Sequence, residues 1–396
     1  MSTVRATNFQ NASSASTNIT LDTAGNATVA GTMAMGSSFL RNRIINGYMM
    51  IDQRNAGASV TPTNTQYFCD RWWAWLSQAS KLTTQVGESA PSYPAGFATA
   101  LKVTSSSAYS VLSSDYFAVV QPIEGVNFYD LNWGTANAAS ATLSFWVRSS
   151  LTGTFGGAVA NSAQNRSYVF TYTISSADTW EYKTITIPGD TTGTWVGPTN
   201  GIGVRVQFGL GVGSSNSNTA GSWYGANYIS ATGATSVVGT NGATWYITGV
   251  QLEAGSAATP FERRQFADEF SLCQRYYETS FPYGTAPANG GSVSTLATGA
   301  CNITPAATWS NNVLQSTQIR YRVPKRAAAG VTTYGNSAGS LGYMTNGTLP
   351  TSGTTFTYSA SLTLAGNDAN NLYVNNQVAQ AVMFGVVGGW AASAEL

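Results

Sequence analysis

Residues 202–210 constrain the fold more than any other stretch: Ile202, Val204, Val206, Phe208 and Leu210 alternate with Gly203, Arg205, Gln207 and Gly209. A period of two sends the first set to one face of a strand and the second to the other. The same alternation puts Leu143, Phe145 and Val147 on one face of LSFWVRS, and Tyr168, Phe170, Tyr172 and Ile174 on one face of YVFTYTI. These segments are short, rich in β-branched and aromatic residues, and bounded by turns such as PGDTTG and GPTNG. Strands with one apolar face need a second sheet to cover them. The expected fold is therefore mainly β, an antiparallel sandwich of jelly-roll type.

One segment breaks the period of two. In ATPFERRQFADEFSLCQRYYE, Phe266, Phe270, Cys273 and Tyr277 follow at spacings of four, three and four, which predicts a helix. Thr259 stands at the N-cap, Pro260 at the first helical position, and Glu262 where a capping-box carboxylate would reach back. After FPYG, strands are expected to resume at Ile319, Tyr321 and Val323, and again at Phe356, Tyr358, Ala360, Leu362 and Leu364. Residues 1–40 hold Phe9 and Phe39 but no Trp or Tyr, with charges only at Arg5 and Asp22. Such a segment cannot build a core alone, and brief strands near Ile19 and Leu21 would need neighbouring chains or a docking surface. The expected organisation is an attachment segment over 1–40, a jelly roll over 41–258, a connecting helix over 259–280 and a second β domain over 281–396.

Charged residues make up 9% of the 396, against about 25% in an ordinary soluble protein. A surface of hydroxyl and amide groups favours close packing of like copies, since few charges need desolvation. The net charge of +1 gives no footprint for nucleic acid or an anionic membrane. No run of about 18 apolar residues is present, so no membrane insertion is expected. The start, MSTVRATNFQNASSAS, lacks the pattern of a secretory signal, which points to a product made in the cytoplasm and carried onward by something else. Cys69, Cys273 and Cys301 are odd in number and scattered, so they read as buried apolar groups rather than a disulfide framework.

The sequence contains no histidine. Ser-His-Asp triads, Cys-His pairs and His-ligated metal sites are thereby excluded, and no phosphate-binding loop motif is present. Neither a cofactor nor a metal is expected. Carboxylate chemistry survives, because a glycosidase needs only two acids about 5 Å or about 6.5–9.5 Å apart; the candidates are Asp115, Glu124, Asp130, Asp178, Glu181 and Asp190. Each lies in or beside a turn, where such residues commonly cap and solubilise, so no catalytic residue is assigned. Sugar binding is easier to support: Trp180, Trp195, Trp223, Tyr224 and Tyr228 fall in turn-rich stretches where rings can be exposed. Alternation sends Trp73 and Trp75 to the same face of their strand.

Several elements together resemble a family of phage tail-fibre and minor tail proteins. They are RNRIINGYMMIDQRN followed by DRW, then TLSFWVRSS, WEYKTITIPGDTTGTW and ITGVQLEAGSAATPFERRQFADEFSLCQRYYE, with WAASAEL at the carboxyl end. The likeness covers about residues 41–280 well, and IRYRVPKRAAAGVTTY resembles the part that often follows. It implies a carbohydrate-binding type of jelly roll, a homotrimer, attachment to other virion proteins through residues 1–40, and contact with host-surface polysaccharide. It implies no catalytic residues, and it locates the product in the virion tail. Head fibres and collar appendages would share the same modules. Phe266, Phe270, Cys273 and Tyr277 are then candidate contacts, either at a threefold axis or between the helix and its own jelly roll. Three readings follow, in this order: a glycan-binding tail fibre, a purely structural virion component, and a carboxylate-based depolymerase.

Overall fold

A strand with one apolar face persists only where a second apolar surface covers it, and in residues 42–396 two antiparallel sheets cover one another. The computed structural model describes residues 8–9, 19–21, 23, 27–29, 41–87, 92–288, 315–334, 345–346, 361–368, 371–377, 386–387 and 389–396. Two compact units divide the chain after Arg41. The first holds an antiparallel meander of β1 (Asn8–Phe9), β2 (Ile19–Leu21) and β3 (Ala27–Val29), with β2 in the middle. Cys301 and the stretch from Phe356 to Ala360 lie outside the described residues.

The sandwich of the second unit comprises β4 (Tyr67–Cys69), β5 (Trp72–Leu76), β6 (Leu82–Val86), β7 (Leu101–Ser105), β8 (Tyr116–Glu124), β9 (Ala141–Ser149), β10 (Gly153–Ala160), β11 (Ser167–Ile174), β12 (Glu181–Ile187), β13 (Ile202–Val212), β14 (Ser217–Asn218), β15 (Trp223–Tyr224), β16 (Ser230–Ala231) and β17 (Thr244–Ala254). Seven strands form one sheet in the order β15-β11-β10-β13-β8-β5-β4, five form the other as β12-β9-β17-β7-β6, and β14 pairs with β16. Val204, Val206, Phe208 and Leu210 point into the space between the sheets, where Phe208 meets Phe145 from the opposite sheet at 5.1 Å. Edge contacts of this kind join large rings without voids. Trp72 joins the same core, whereas Trp73 and Trp75 share the outer face of the seven-stranded sheet and stack at 5.9 Å.

The helix α1 spans Phe266–Gln274, shorter than the connecting helix predicted over 259–280. Its expected caps are held elsewhere. Thr259 donates its hydroxyl to Glu253 (2.6 Å) and its N–H to the same carboxylate (2.8 Å), while Glu262 accepts the Asn42 N–H and donates its own to Gln251. Residues 259–262 are thus tied to β17 and cannot turn into a helix. Gln265 takes the N-cap place without a side-chain bond, and Asp268 and Glu269 supply negative charge to the first turn. Cys273 packs in its own chain against Ile45, Ile51 and Tyr276. Phe266 and Phe270 stack at the surface beside Tyr283.

Tyr277 leaves the helix and opens β18 (Tyr277–Thr279). The later strands are β19 (Gln315–Arg320), β20 (Gly330–Tyr334), β21 (Thr345–Asn346), β22 (Ser361–Asn367), β23 (Asn371–Gln377), β24 (Val386–Val387) and β25 (Gly389–Ser393). β25 lies between β18 and β20, and β23 between β19 and β22. The strand expected through Tyr321 and Val323 ends at Arg320. There the Arg322 N–H turns to Glu278 (3.0 Å), and the buried Lys325 ammonium pairs with the same carboxylate.

A buried charge cluster ties these parts together. Glu395 pairs with Arg54 (2.9 Å) and with Arg71, whose side chain is almost wholly buried. The Arg71 guanidinium lies 3.5 Å over the Tyr276 ring and Arg54 lies 3.8 Å over Tyr277. Asp70 accepts both the backbone N–H and the side-chain amide of Gln53 at 2.7 Å, and that amide also donates to the Tyr277 carbonyl (2.9 Å). Replacing Glu395 with alanine strands two buried guanidinium groups, and breaking a buried pair costs about 3–5 kcal/mol. Denaturant titration followed by tryptophan fluorescence should show a loss of that order; one under about 1 kcal/mol would mean that the cluster is dispensable.

Candidate functional site

The five rings singled out in the sequence fall at three separate places. Trp195 and Trp223 close one end of the core with Trp133, at centroid distances of 4.8 Å and 5.1 Å from it and near-perpendicular ring planes. Their indole N–H groups are committed, Trp195 to Asp190 (3.0 Å) and Trp223 to the Pro188 carbonyl (2.9 Å). Both rings are packing groups here, because the turn that carries Trp195 folds back over the sandwich end. Tyr224 and Tyr228 meet edge to face at 5.3 Å, at the β15 edge of the seven-stranded sheet. Trp180 stands apart, just before β12, with its indole N–H on the Ser92 carbonyl (2.7 Å).

The six carboxylates are dispersed and engaged. Glu124 pairs with Arg275 (3.0 Å), Asp130 with Arg43 (2.6 Å) and Asp178 with Arg148 (3.0 Å). Burial pushes Asp115 up, but bonds from the Leu112 N–H, Tyr109 and Ser77 outweigh it and hold the group below its ordinary value. Glu181 is held low in the same way by Lys183 and the N–H groups of Ser175 and Ser176, again against the upward push of burial. A general acid needs the opposite shift. Asp70 does have a raised carboxyl, pushed up to about 7 by burial, yet it is fully enclosed and holds Gln53. Among the described residues no group of three or more Cys, Asp or Glu side chains is placed to hold a metal ion, and no helix is long and apolar enough to cross a membrane.

The two outer sheet faces differ in access. On the seven-stranded sheet, Trp73 and Trp75 are only 8% exposed, packed with Ile229 from the segment that crosses this face. On the five-stranded sheet Tyr246 is equally buried at 8%, but Trp146 is half-buried and Tyr182 stays open. Tyr182 of β12 lies opposite Trp146 of β9, with centroids 5.3 Å apart and Tyr182 42% exposed. In the neighbouring row, Tyr246 of β17 lies opposite Arg148 and Lys102. Trp180 sits 6.1 Å from Tyr246 and 6.5 Å from Tyr93. Arg148 is held over Tyr246 at 5.2 Å and donates its Nε–H to the Asp178 carbonyl. At the bulge in β17, Gly249 has φ +61°, and a Cβ there would come within 2.7 Å of Phe97 and 3.3 Å of Trp146. Glycine is required so that Phe97 can lie beside Trp146.

This surface offers half-buried Trp146, Trp180, Tyr93 and Phe97 and exposed Tyr182, with Arg148 over the neighbouring Tyr246 and Arg263 over Phe97. Rings of this kind present apolar faces to the C–H faces of a sugar, while fixed guanidinium donors meet its hydroxyls. Of its rings only Trp180 was among the sequence candidates. Trp146 and Tyr182 carried a readable signal, since sending Leu143, Phe145 and Val147 inward sends Trp146 outward. Phe97 and Tyr93 carried none, because they come from a loop.

No family model matches the chain, and no curated protein matches it either. Among solved structures the chain is similar to the enzymatically active domain of tailspike protein 4 from bacteriophage CBA120, at 12% identity and a TM-score of 0.32, over 55% of this chain and 22% of that one. It is similar as well to TmCBM61 in complex with β-1,4-galactotriose, at 11% identity and TM-score 0.29, over 54% of this chain and 99% of the other. A third similar structure is a putative sugar-binding protein from Bacteroides thetaiotaomicron, at 12% identity and TM-score 0.33, over 54% of this chain and all of that one.

The end cluster of tryptophans has a pH signature. Burial raises the Asp190 carboxyl, but hydrogen bonds from Arg166, Trp195 and Thr192 prevail and hold it below 3.8. A depressed folded value contributes stability that is present above the unfolded value and lost as pH falls through the folded one. As pH falls below about 4, the thermal midpoint of the native chain should therefore drop more steeply than that of Asp190→Asn. Parallel curves by circular dichroism would show that Asp190 carries none of the acid sensitivity.

Proposed function

We propose that this chain is a subunit of a phage tail fibre that holds a host-surface polysaccharide on the outer face of its five-stranded sheet, without cleaving it. The observation that carries the reading is the group of half-buried Trp146 and Trp180 with exposed Tyr182 on one sheet face, beside Arg148 held over Tyr246. A ring left half in water costs apolar exposure that a soluble chain ordinarily covers, as Ile229 does on the opposite face. The sequence elements that resemble tail-fibre proteins support the virion assignment, and the low charge supports packing of three copies side by side. Residues 1–40 serve as the attachment segment to other virion proteins. Commitment of the carboxylates to ion pairs and backbone N–H groups supports binding over cleavage.

Purified full-length chain should adsorb to susceptible cells and compete with the phage. Truncating an anchoring ring typically costs about 2 kcal/mol, so Trp146→Ala and Tyr182→Ala should each weaken polysaccharide binding on the order of 10- to 30-fold. Equilibrium binding to extracted surface polysaccharide measures this, with circular dichroism to establish that each variant is folded. Folded variants with unchanged affinity would remove the face from consideration.

A further inference from the structure

Beside the ring-bearing face lies a cavity of about 110 Å³, lined in part by Tyr48, Phe261, Glu262, Arg263, Arg264 and Glu269. Its two carboxylates are already satisfied. Glu262 accepts the Asn42 N–H (2.6 Å), while Glu269 accepts the Asn46 N–H and pairs with Arg264 (3.2 Å). The lining is neutral in sum, two arginines against two glutamates, but Arg264 takes both carboxylates and leaves Arg263 over. Arg263 is exposed, forms no ion pair among the described residues, and is held by rings alone: its guanidinium lies 4.6 Å from the Phe97 centroid, 5.1 Å from Tyr48 and 5.9 Å from Phe261. Arg264, by contrast, is committed: its guanidinium donates to the Ile44 and Asn42 carbonyls and pairs with Glu269, so Arg263 is the cation left to meet a ligand.

The cavity adjoins the ring-bearing face through Phe97, which lies 4.6 Å from the Arg263 guanidinium and beside Trp146 over Gly249. A sugar chain resting on Trp146 and Tyr182 would bring a neighbouring residue to Arg263. The volume accommodates several waters, or a small substituent that displaces them. A planar guanidinium whose ring-stacked faces are blocked keeps its N–H edges free, and those edges match the two oxygens of a carboxylate. We propose that this cavity receives the carboxylate of an acidic sugar residue, so that the polysaccharide bound by the ring-bearing face contains uronic acid or a comparable carboxylated sugar. The inference rests on the reading of that face as the glycan surface, and it assigns the class of glycan.

The test uses the full chain and paired polymers: polygalacturonate, alginate and hyaluronate, each beside its carboxyl-reduced form, which keeps the rings and loses the charge. At low ionic strength at least one acidic polymer should bind about tenfold more tightly than its reduced partner, and Arg263→Gln should shrink that ratio to about twofold or less. Trp146→Ala should weaken both forms together. Equal affinity for the two forms, a preference unchanged by Arg263→Gln, or binding to none of the six polymers overturns the assignment. The two readings fail separately. Binding that depends on Trp146 but ignores the carboxylate leaves the glycan face standing and removes the cavity's role, whereas a carboxylate preference indifferent to Trp146→Ala removes the face.

Discussion

Glu395 holds this fold in register. Its carboxylate is bound by Arg71 and Arg54, which lie 324 and 341 residues away in sequence, and a buried carboxylate is tolerated only when such partners are in place. Arg71 in turn lies against Tyr276, and Arg54 against Tyr277. One ionic contact therefore fixes four segments relative to one another: the 50s loop, the start of β5, the end of the helix and the end of β25. The sequence elements DQRN, DRW, CQRYY and SAEL occur together because each supplies one part of this cluster. They are motifs of architecture, with no open position for a ligand.

With those segments fixed, the surroundings of the helix follow. The cap residues expected from sequence are used to tie residues 259–262 to Gln251 and Glu253 of β17, and this places Phe261 and Arg263 at the border of the five-stranded sheet. The helix starts only once that tie ends, at Phe266. Its charged first turn compensates the missing side-chain cap, and its apolar side is closed by Ile45 and Ile51. A local capping signal was thus outcompeted by long-range bonds to a strand, which no inspection of the local sequence reveals.

The strands were legible because a period of two reports directly which side chains share a face. Val204, Val206, Phe208 and Leu210 went to the core as their alternation demanded. What the period does not report is which outer face stays open. Trp73 and Trp75 have the same local pattern as Trp146, yet Ile229 packs on the first two, whereas Trp146 has Phe97 at one side and its partner Tyr182 stays 42% exposed. Turn-rich surroundings do not report ring exposure by themselves: the turn around Trp195 folds toward the core, and Asp190 accepts its indole N–H. The carboxylates were legible only in part: proximity to turns was readable, whereas their cationic partners Arg43, Arg148, Arg166 and Arg275 are remote in sequence for all but a few.

Charge is scarce in this chain, and among the described residues several of the cations are paired internally. Arg54, Arg71, Arg166, Arg275 and Lys325 each hold a carboxylate of the same chain, and such pairs contribute geometry more than they contribute attraction for a third party. A surface made of hydroxyl and amide groups exerts little long-range force on an approaching polymer. On the proposed reading, selectivity between one sugar polymer and another rests on the few cations that remain directed outward. Arg263, braced by three rings and lacking an internal counter-ion among the described residues, sits where the open rings end, so the scarcity of charge elsewhere is what would make a single guanidinium decisive there.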